Sequence, residues 1–486
     1  MIFSAIRNWL GGYTSFQRAQ TQIEERYLGD SDLGQTTIEP KLTLNAANND
    51  VFRRYVIDAI PLADIERALK VCKKEDRNKA LLSASLYLNQ RIKNIADKFD
   101  SPDKARDYFL SLVQYITDTV QIVRLVVRGD DAAYTIFETL NDRGMELAPL
   151  DLVKNYLFSR AEKSKALSLR DLEERWTEMM TLLSSVKADS FLRAFWTSKH
   201  GAPEGKRLFG YFKKEYADAE KAYQVSLDMR AAAERYAALS DSNDPIWSPY
   251  SERVKHGVEA LAIIGSSQFH PLILAALAVF DKREFERLMW LLEVLAVRWQ
   301  LVARGRPGRI ESTAGRAAKA IADGKITTAS QVLTEVRELY IADPVFEADF
   351  KLKTEREAKK AMYLLKGLEH QSLLRAQDAH PSESIPGNVT VEHILPKSPG
   401  AAWKAEIDAD PELHADFLYR LGNMCLLADA NRALGNKAFS EKKKSYAGSK
   451  LRITNSVSQY ANWTRNEIED RQSHLAQLAV AKWRFQ

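Results

Sequence analysis

Apolar residues at helical spacing run through most of the chain, and this pattern limits what it can fold into. Between about residues 160 and 375, one such segment follows another. The aromatic residues expected in the core of this region are Trp176, Phe195, Trp196, Trp290 and Trp299. Few segments have strand composition; one is the β-branched run 120–127, which is predicted to be a buried strand. The pattern predicts a mainly α protein with small α+β parts.

Length and charge narrow the class of protein further. With 486 residues the chain is too long for a single core and long enough for about two to four domains. It is 45% hydrophobic and 28% charged, which is ordinary for a globular protein. The net charge of +5 is compatible with nucleic-acid binding, but most proteins of this charge bind no nucleic acid.

Neither a membrane span nor a secretory signal is predicted. No apolar run approaches the roughly 18 residues that cross a bilayer, and the N-terminus lacks a basic region and a cleavage site. The two cysteines, Cys72 and Cys425, are far apart, which excludes a CxxC zinc knuckle and argues against a disulfide framework. These features predict a protein of the reducing cytoplasm.

The first ten residues already have helical spacing, through Ile2, Phe3, Ile6 and Leu10. No Ser, Thr, Asp or Asn precedes them as a helix cap. Two interpretations remain open: the first helix is uncapped and frayed, or a preceding segment is absent.

Near the end of the chain, two strand-like segments flank a long loop. Residues 388–395 have strand composition and are stopped by Pro396. The second segment, 423–427, follows a loop that contains Trp403, and after Asp429 the pattern becomes helical. The predicted order of strand, loop, strand and helix is the ββα-metal plan of HNH nucleases.

Polar residues in these segments suit phosphodiester hydrolysis, which needs a base for water and a cation for the charge on the phosphate. A neutral His393 supplies the base. Carboxylate and carboxamide oxygens suit Mg²⁺ or Mn²⁺, so Glu392 and Asn431 are the predicted metal ligands. Because adjacent strand residues point to opposite faces, Glu392 and His393 reach one metal only if the strand end is bent. The alternative for His393 is a hydrogen-bonded core histidine.

Further residues are assigned supporting roles. Asn423 is predicted to tie the loop to the hairpin and to orient His393. Asn436 and Lys437 are predicted to touch the scissile phosphate. The basic run Lys442–Lys444 has two interpretations, a solvated helix face or a phosphate-binding surface.

Residues 388–449 closely resemble the C-terminal HNH-type nuclease domain of the GmrSD family of modification-dependent (type IV) restriction endonucleases. The resemblance rests on VEHILPKSP, LGNMCLL and NRALGNKAFSEKKKSYAGS. Independently, IFETLNDRGMELAPLDLVKN at 136–155 is similar to the end of that family's N-terminal ParB/sulfiredoxin-like domain. Shorter similarities at 191–196 and 363–369 fit its helical middle. The resemblance implies a Mg²⁺-dependent DNA endonuclease of a phage-defence restriction system, aimed at modified DNA.

The 136–155 segment also has a reading from its residues alone. Pro149 and Asp151 suit the start of a helix. Arg143 and Lys154 either bind a phosphate or pair with Glu138 and Asp151, and both possibilities stay open. The resemblance implies that Arg143 and Asp151 belong to, or brace, the family's nucleotide- or DNA-sensing site.

One family feature is missing from the sequence. The N-terminal domain of the family normally carries a D-G-Q-Q-R motif before its first long helix, and that motif is implicated in nucleotide binding and hydrolysis. The chain has no such motif, so NTP hydrolysis is in doubt. The expected organisation is a partial ParB/sulfiredoxin-like domain at 1–160, a helical middle at 161–377 and a nuclease domain at 378–486.

Two other functions remain open. One is a truncated, non-catalytic remnant that binds DNA or a partner subunit, such as a separately encoded N-terminal half. The other is an NTP-driven sensor whose nuclease is secondary. A homo-oligomer is also compatible with the sequence.

Overall fold

Helices account for most of the described structure, which confirms the mainly α prediction. This computed structural model describes residues 1–30, 39–44, 46–58, 60–72, 78–121, 149–163, 168–203, 208–376, 385–428 and 434–485. Contacts divide the chain into two compact units, Met1–Tyr134 and Thr135–Gln486. The predicted boundary between a helical middle and a nuclease domain therefore falls inside the second unit.

The described part of the first unit contains helices and a two-stranded antiparallel sheet in which Gly29 pairs with Pro40. The helices are α1 (Ile2–Leu10), α2 (Gln17–Ile23), α3 (Ala46–Phe52), α4 (Leu62–Val71), α5 (Asn78–Ala96) and α6 (Pro102–Thr119), and the strands are β1 (Gly29–Asp30) and β2 (Glu39–Pro40).

Helix α1 lies in the core of the first unit. Its Ile6 is fully buried in a cluster that also contains Phe109 of α6. Arg7 is buried as well, and its guanidinium pairs with Glu24 and donates to the carbonyl oxygen of Ile57. Burying each large apolar side chain contributes about 1.5–3 kcal/mol. The helical spacing at the start of the sequence therefore reflects a packed core helix.

The described part of the second unit contains the longer series of helices and a second two-stranded antiparallel sheet. The helices are α7 (Pro149–Lys163), α8 (Leu169–Leu182), α9 (Ala188–His200), α10 (Leu208–Glu215), α11 (Ala219–Ala238), α12 (Glu252–Ile264), α13 (His270–Val279), α14 (Lys282–Leu295), α15 (Pro307–Ala322), α16 (Ala329–Glu335), α17 (Asp343–Lys351), α18 (Ala358–Arg375), α19 (Lys404–Ala409), α20 (Leu413–Phe417), α21 (Phe439–Ala447), α22 (Arg452–Asn455) and α23 (Arg465–Lys482). The strands are β3 (Thr390–His393) and β4 (Met424–Leu427).

Short 3₁₀ and π segments extend or connect these helices in both units. The 3₁₀ segments are Thr14–Phe16, Leu183–Ser185, Pro245–Trp247, Ser267–Phe269, Arg337–Leu339, Ala401–Trp403, Leu421–Asn423 and Ser456–Gln459. The π segments are Glu24–Leu28, Arg53–Ile57 and Ala296–Val302. None of the described helices combines the length and the apolar composition required to cross a bilayer.

Local sequence signals begin and end several helices. Ser101 and Asp281 accept hydrogen bonds from backbone amides in the first turns of α6 and α14. Thr328 and Thr464 form capping boxes at the starts of α16 and α23. Gly265 ends α12 in the left-handed conformation, with φ of 83°. Capping as well as packing therefore sets the helix bounds.

The apolar helix α13 lies in the core of the second unit. Its residues 271–276 are buried, and it packs against α9 and α15. Helices α9 and α15 approach closely at Gly315, where a Cβ would lie 3.1–3.3 Å from atoms of Thr197 and Ala202. A side chain at this crossing would require its neighbours to shift by a few tenths of an ångström.

The core prediction for the aromatic residues of this region is partly wrong. Trp176, Phe195 and Trp196 are buried, whereas Trp290 and Trp299 are only partly buried. Helix α14 buries the opposite face, which carries Leu288 and Leu292 among others. Trp290 borders a cavity instead. Spacing alone did not reveal which face of this apolar helix meets the core.

The N-terminal motif segment is only partly described. The predicted strand 120–127 and most of the motif 136–155 fall in residues 122–148, outside the described residues. The helix predicted to begin at Pro149, with Asp151 in its first turn, is present as α7. It packs against α8, α10 and α11 of the second unit.

Helix α23 fixes the turn that precedes β4. Gly422 lies so close to this helix that a Cβ would overlap the carbonyl oxygen of Ile468. The buried guanidinium of Arg471 donates to the carbonyl oxygens of Leu421, Gly422 and Met424 at 2.6–3.2 Å. The start of β4 is therefore held by three charge-assisted hydrogen bonds.

Candidate active site

The two strands of the second sheet form the predicted hairpin. In the antiparallel register Glu392 lies opposite Cys425, and His393 lies opposite Met424. The long connection contains Trp403, which is fully buried, and α21 follows β4. The predicted order of strand, loop, strand and helix is thus observed.

His393 ends β3 with a partly buried side chain. Its ring meets that of Tyr419 edge to face, with 5.8 Å between centroids, and Arg356 lies 5.0 Å from the centre of the tyrosine ring. Burial, with smaller effects of Lys397 and Lys442, lowers the pKa of His393 to about 4. Nε2 is buried and has no hydrogen-bond partner among the described residues. The lowered pKa favours the neutral form of His393 at pH 7, and the choice between a catalytic base and a core histidine stays a prediction.

The neighbouring Glu392 is 19% exposed and pairs with Lys442, with 2.7 Å between Oε1 and Nζ. The same ammonium, which is fully buried, donates to the carbonyl oxygen of His393 at 3.0 Å. Lys442 thus joins α21 to the end of β3. One oxygen of Glu392 is taken by this pair, and a metal-binding role for Glu392 stays a prediction.

Asn423 is fully buried and uses its whole carboxamide within the protein. Its Oδ1 accepts from the amide of Leu395 at 2.8 Å and from Nε1 of Trp463 at 2.9 Å. Its Nδ2 donates to the carbonyl oxygens of Leu395 and Leu418, both at 3.1 Å. These bonds fit the predicted role of tying the loop to the hairpin, and they leave no hydrogen-bonding capacity for substrate.

The basic run after β4 is divided between interior and surface. Lys442 is buried, Lys443 donates to the carbonyl oxygen of Tyr460 at 2.8 Å, and Lys444 is exposed. Both interpretations of the run assumed exposed side chains, which is wrong for Lys442. The sequence contained the signal, because Lys442 shares the helix face of the buried Phe439 and Tyr446.

The predicted phosphate contacts lie on the turn before α21. The side chains of Asn436 and Lys437 are exposed. The turn is fixed by Trp403, whose Nε1 donates to the carbonyl oxygen of Lys437 at 3.0 Å. Among the described residues no hydrogen bond links either side chain to His393, so their roles stay predictions.

Of the three other predicted site residues, the structure describes Asp151 alone. Asn431 and Arg143 lie outside the described residues. Asp151 is exposed on α7, and within the described ranges it forms no ion pair, including the one considered with Lys154. The ammonium of Lys154 lies over the ring of Phe158 instead, 5.5 Å from its centre.

The described residues do not make up a complete metal site. Within them, no group of three or more His, Cys, Asp or Glu side chains could hold a metal ion. Of the two predicted ligands, Glu392 is paired with Lys442 and Asn431 is not described. The need for a metal therefore stays a prediction.

Sequence reasoning missed residues that hold the chain beyond His393. Nε2 of His414 lies 3.3 Å from the carbonyl oxygen of Pro396 and 3.2 Å from that of Lys397. It donates to both, because carbonyl oxygens only accept. Tyr419, against the ring of His393, was also missed. The spacing of residues in the sequence does not single out His414 or Tyr419, because only the folding of the loop brings them to the end of β3.

Two family descriptions match the chain. Residues 340–478, which include both strands and α21, match the C-terminal domain of GmrSD restriction endonucleases. Residues 11–158 match the N-terminal domain of the same enzymes. A search of curated proteins gave no match.

The two matches define the class of protein as a restriction endonuclease, whose substrate is DNA. The chain belongs to the GmrSD family of restriction endonucleases. The family resemblance inferred from the two sequence motifs is thereby confirmed.

Proposed function

We propose that this protein is an HNH-type endonuclease that depends on Mg²⁺ or Mn²⁺ and cuts modified phage DNA in a restriction system. One observation carries the proposal. His393 ends a strand of the domain that the family shares, it is neutral at pH 7, and its Nε2 has no partner among the described residues. A neutral imidazole nitrogen accepts a proton from a water molecule that reaches it.

The hydrolytic step requires one proton transfer and one exchange of bonds. Nε2 of His393 takes a proton from a water molecule, whose oxygen bonds to the scissile phosphorus. The bond from phosphorus to the leaving oxygen breaks, and that oxygen takes a proton from solvent water, while His393 later returns its proton to solvent. Lys442 keeps the strand end in place by binding the carbonyl oxygen of His393.

A divalent cation, when bound, stabilises negative charge on the phosphate and on the leaving oxygen. We propose Glu392 and Asn431 as its protein ligands, with Glu392 using the oxygen that does not face Lys442. The exposed Asn436 and Lys437 are positioned on a turn that is free to contact phosphate. Arg143 and Asp151 are assigned to nucleotide or DNA sensing in the N-terminal region by family resemblance alone.

The experiment is a cleavage assay with purified full-length protein on three DNAs: unmodified plasmid, the same sequence with hydroxymethylated cytosine, and phage DNA that carries glucosylated bases. Each is incubated with Mg²⁺, with Mn²⁺ and with EDTA. The proposal predicts cleavage of at least one modified DNA with either metal, and none with EDTA. Cleavage that persists in EDTA would refute the metal requirement. No cleavage of any DNA would favour a non-catalytic DNA-binding protein.

A further inference from the structure

A second site is suggested by a cavity of about 760 Å³ in the second unit. Helices α12, α14, α18 and α23 contribute its walls, and none of the residues assigned to the nuclease site lines it. Cavities that hold small ligands typically measure about 300–1,000 Å³. The volume lies within this range.

One face of α18 is turned to this cavity. Tyr363, Lys366, Gly367 and His370 line it, and their spacing of three, four and seven residues places them on one side of the helix. A Cβ at Gly367 would lie 2.8 Å from the ring of Trp483. The first three of these positions fall in the family-like segment 363–369, to which the nuclease chemistry gives no role.

A carboxylate lies at the floor of the cavity. Glu293 is 1% exposed, and its Oε1 accepts from the hydroxyl of Tyr363 at 2.6 Å and lies 3.4 Å from Nε2 of His256. Burial raises the pKa of Glu293, but the contacts with His256 and Tyr363 outweigh burial and lower it overall. Its Oε2 has no hydrogen-bond partner among the described residues. An ionised carboxylate that lines a cavity can accept a hydrogen bond from a ligand.

Cationic and aromatic groups border the same space. Arg253 lies 5.0 Å, and the ammonium of Lys482 5.5 Å, from the centre of the Trp290 ring. Lys482 is partly buried, and burial lowers its pKa. Within the described ranges it forms no ion pair. Lys366 lines the cavity as well. A ligand with a flat ring and an anionic group would meet both the indole and these cations.

We propose that this cavity binds a nucleotide, with Glu293 accepting a hydrogen bond from the base, Trp290 contacting its ring, and Lys482, Arg253 and Lys366 facing its phosphate. Two sources supply the same chemistry: a free nucleotide, or a nucleotide rotated out of DNA so that its base can be inspected. A nucleotide rotated out of DNA is a source only if the protein acts on DNA, as proposed above. Binding of a free nucleotide in the cavity does not depend on that proposal.

The test is calorimetric titration of full-length protein, in EDTA, with dAMP, dCMP, dGMP, dTMP and 5-hydroxymethyl-dCMP, and with inorganic phosphate as a control. We expect at least one nucleotide to bind at a single site and more tightly than phosphate. Glu293→Gln, Trp290→Leu and Lys482→Met should each weaken binding at least tenfold. Trp299→Leu, a partly buried tryptophan outside the cavity, is the matched control and should bind normally.

Competition with DNA then separates the two sources. Matched and singly mismatched duplexes of one sequence are added to the nucleotide-loaded protein, because a mismatched nucleotide is easier to extrude. Stronger displacement by the mismatched duplex indicates an extruded nucleotide, and no displacement indicates a free one. The proposal is overturned if no nucleotide binds, or if binding survives both Trp290→Leu and Lys482→Met, which leave the buried Glu293 contacts intact.

Failure of this proposal is distinguishable from failure of the proposed nuclease. Binding is measured without metal and without cleavage, and His393→Ala should bind nucleotide like the unaltered protein. A protein that cuts DNA but binds no nucleotide keeps the nuclease and loses the cavity site. A protein that binds nucleotide but cuts no DNA keeps the cavity site and loses the nuclease.

Discussion

The contact between α21 and β3 allows a quantitative prediction for Lys442→Met. The substitution keeps an apolar stem of similar length and removes the ammonium that holds both Glu392 and the carbonyl oxygen of His393. The fully buried lysine has no water to replace these contacts. The end of β3 should therefore open more readily.

The magnitude follows from burial. Removing one partner of a buried ion pair costs about 3–5 kcal/mol. Glu392 is 19% exposed, so water relieves part of its loss, and the expected cost is near the lower bound, about 3 kcal/mol. Because about 1.4 kcal/mol corresponds to a factor of ten, backbone opening at this strand should become roughly 100-fold more frequent.

Amide hydrogen exchange measured by mass spectrometry is the appropriate assay, because it reports on peptides that cover residues 390–393 separately from the rest of a two-unit protein. Lys444→Met is the matched control, since this exposed neighbour should change stability by no more than about 0.5 kcal/mol. The double variant Lys442→Met with Glu392→Gln should recover part of the loss, because no unpaired carboxylate remains.

Two results would refute this reasoning. One is unchanged exchange at residues 390–393 in Lys442→Met. The other is equal effects of Lys442→Met and Lys444→Met, which would mean that the buried pair does not hold the strand.

Other predictions concern the same region. Folding lowers the pKa of His393 to about 4, so the unfolded chain binds this proton first as pH falls below about 6.5. The contribution of His393 to stability should therefore be complete above pH 6.5 and lost between pH 6.5 and 4. Urea denaturation as a function of pH, with His393→Leu for comparison, should show this difference. By the same shift, the acid limb of the cleavage rate should follow a pKa near 4; a limb near 6.5 would contradict the burial of His393. Asn423→Ala removes four hydrogen bonds from a buried position and should lower the free energy of unfolding by about 3 kcal/mol, whereas a change below 1 kcal/mol would show that the carboxamide is not needed. Gly422→Ala should cost about 1–3 kcal/mol by overlap with the backbone of α23, with Gly308→Ala, which has open space, as the control in the same denaturation assay.

Strong local signals made much of the fold predictable. The periodicity of the apolar residues indicated the helices, and Pro149 with Asp151 indicated the start of α7. Strand composition followed by Pro396 indicated β3. These patterns depend on a few neighbouring residues, so the sequence displays them directly.

The parts that were not predicted depend on tertiary contacts. Lys442 was assigned to the surface because a lysine is rarely buried, and its partner Glu392 is 50 residues away in the chain. Trp290 was assigned to the core, although the face of α14 that it occupies borders a cavity. Tyr419 reaches His393 only through the folded loop. In each case the partner is distant in sequence, and composition carries no information about it.

The central claim is that His393 is the base of a DNA endonuclease, and the most direct test is the rate of DNA cleavage by His393→Ala. The matched control is His474→Ala, which alters an exposed histidine of α23. Losing a general base lowers a rate by about 10²–10⁴-fold. We predict at least a 100-fold slower cleavage by His393→Ala and an unchanged rate for His474→Ala. Equal rates for His393→Ala and the unaltered protein would contradict the assignment.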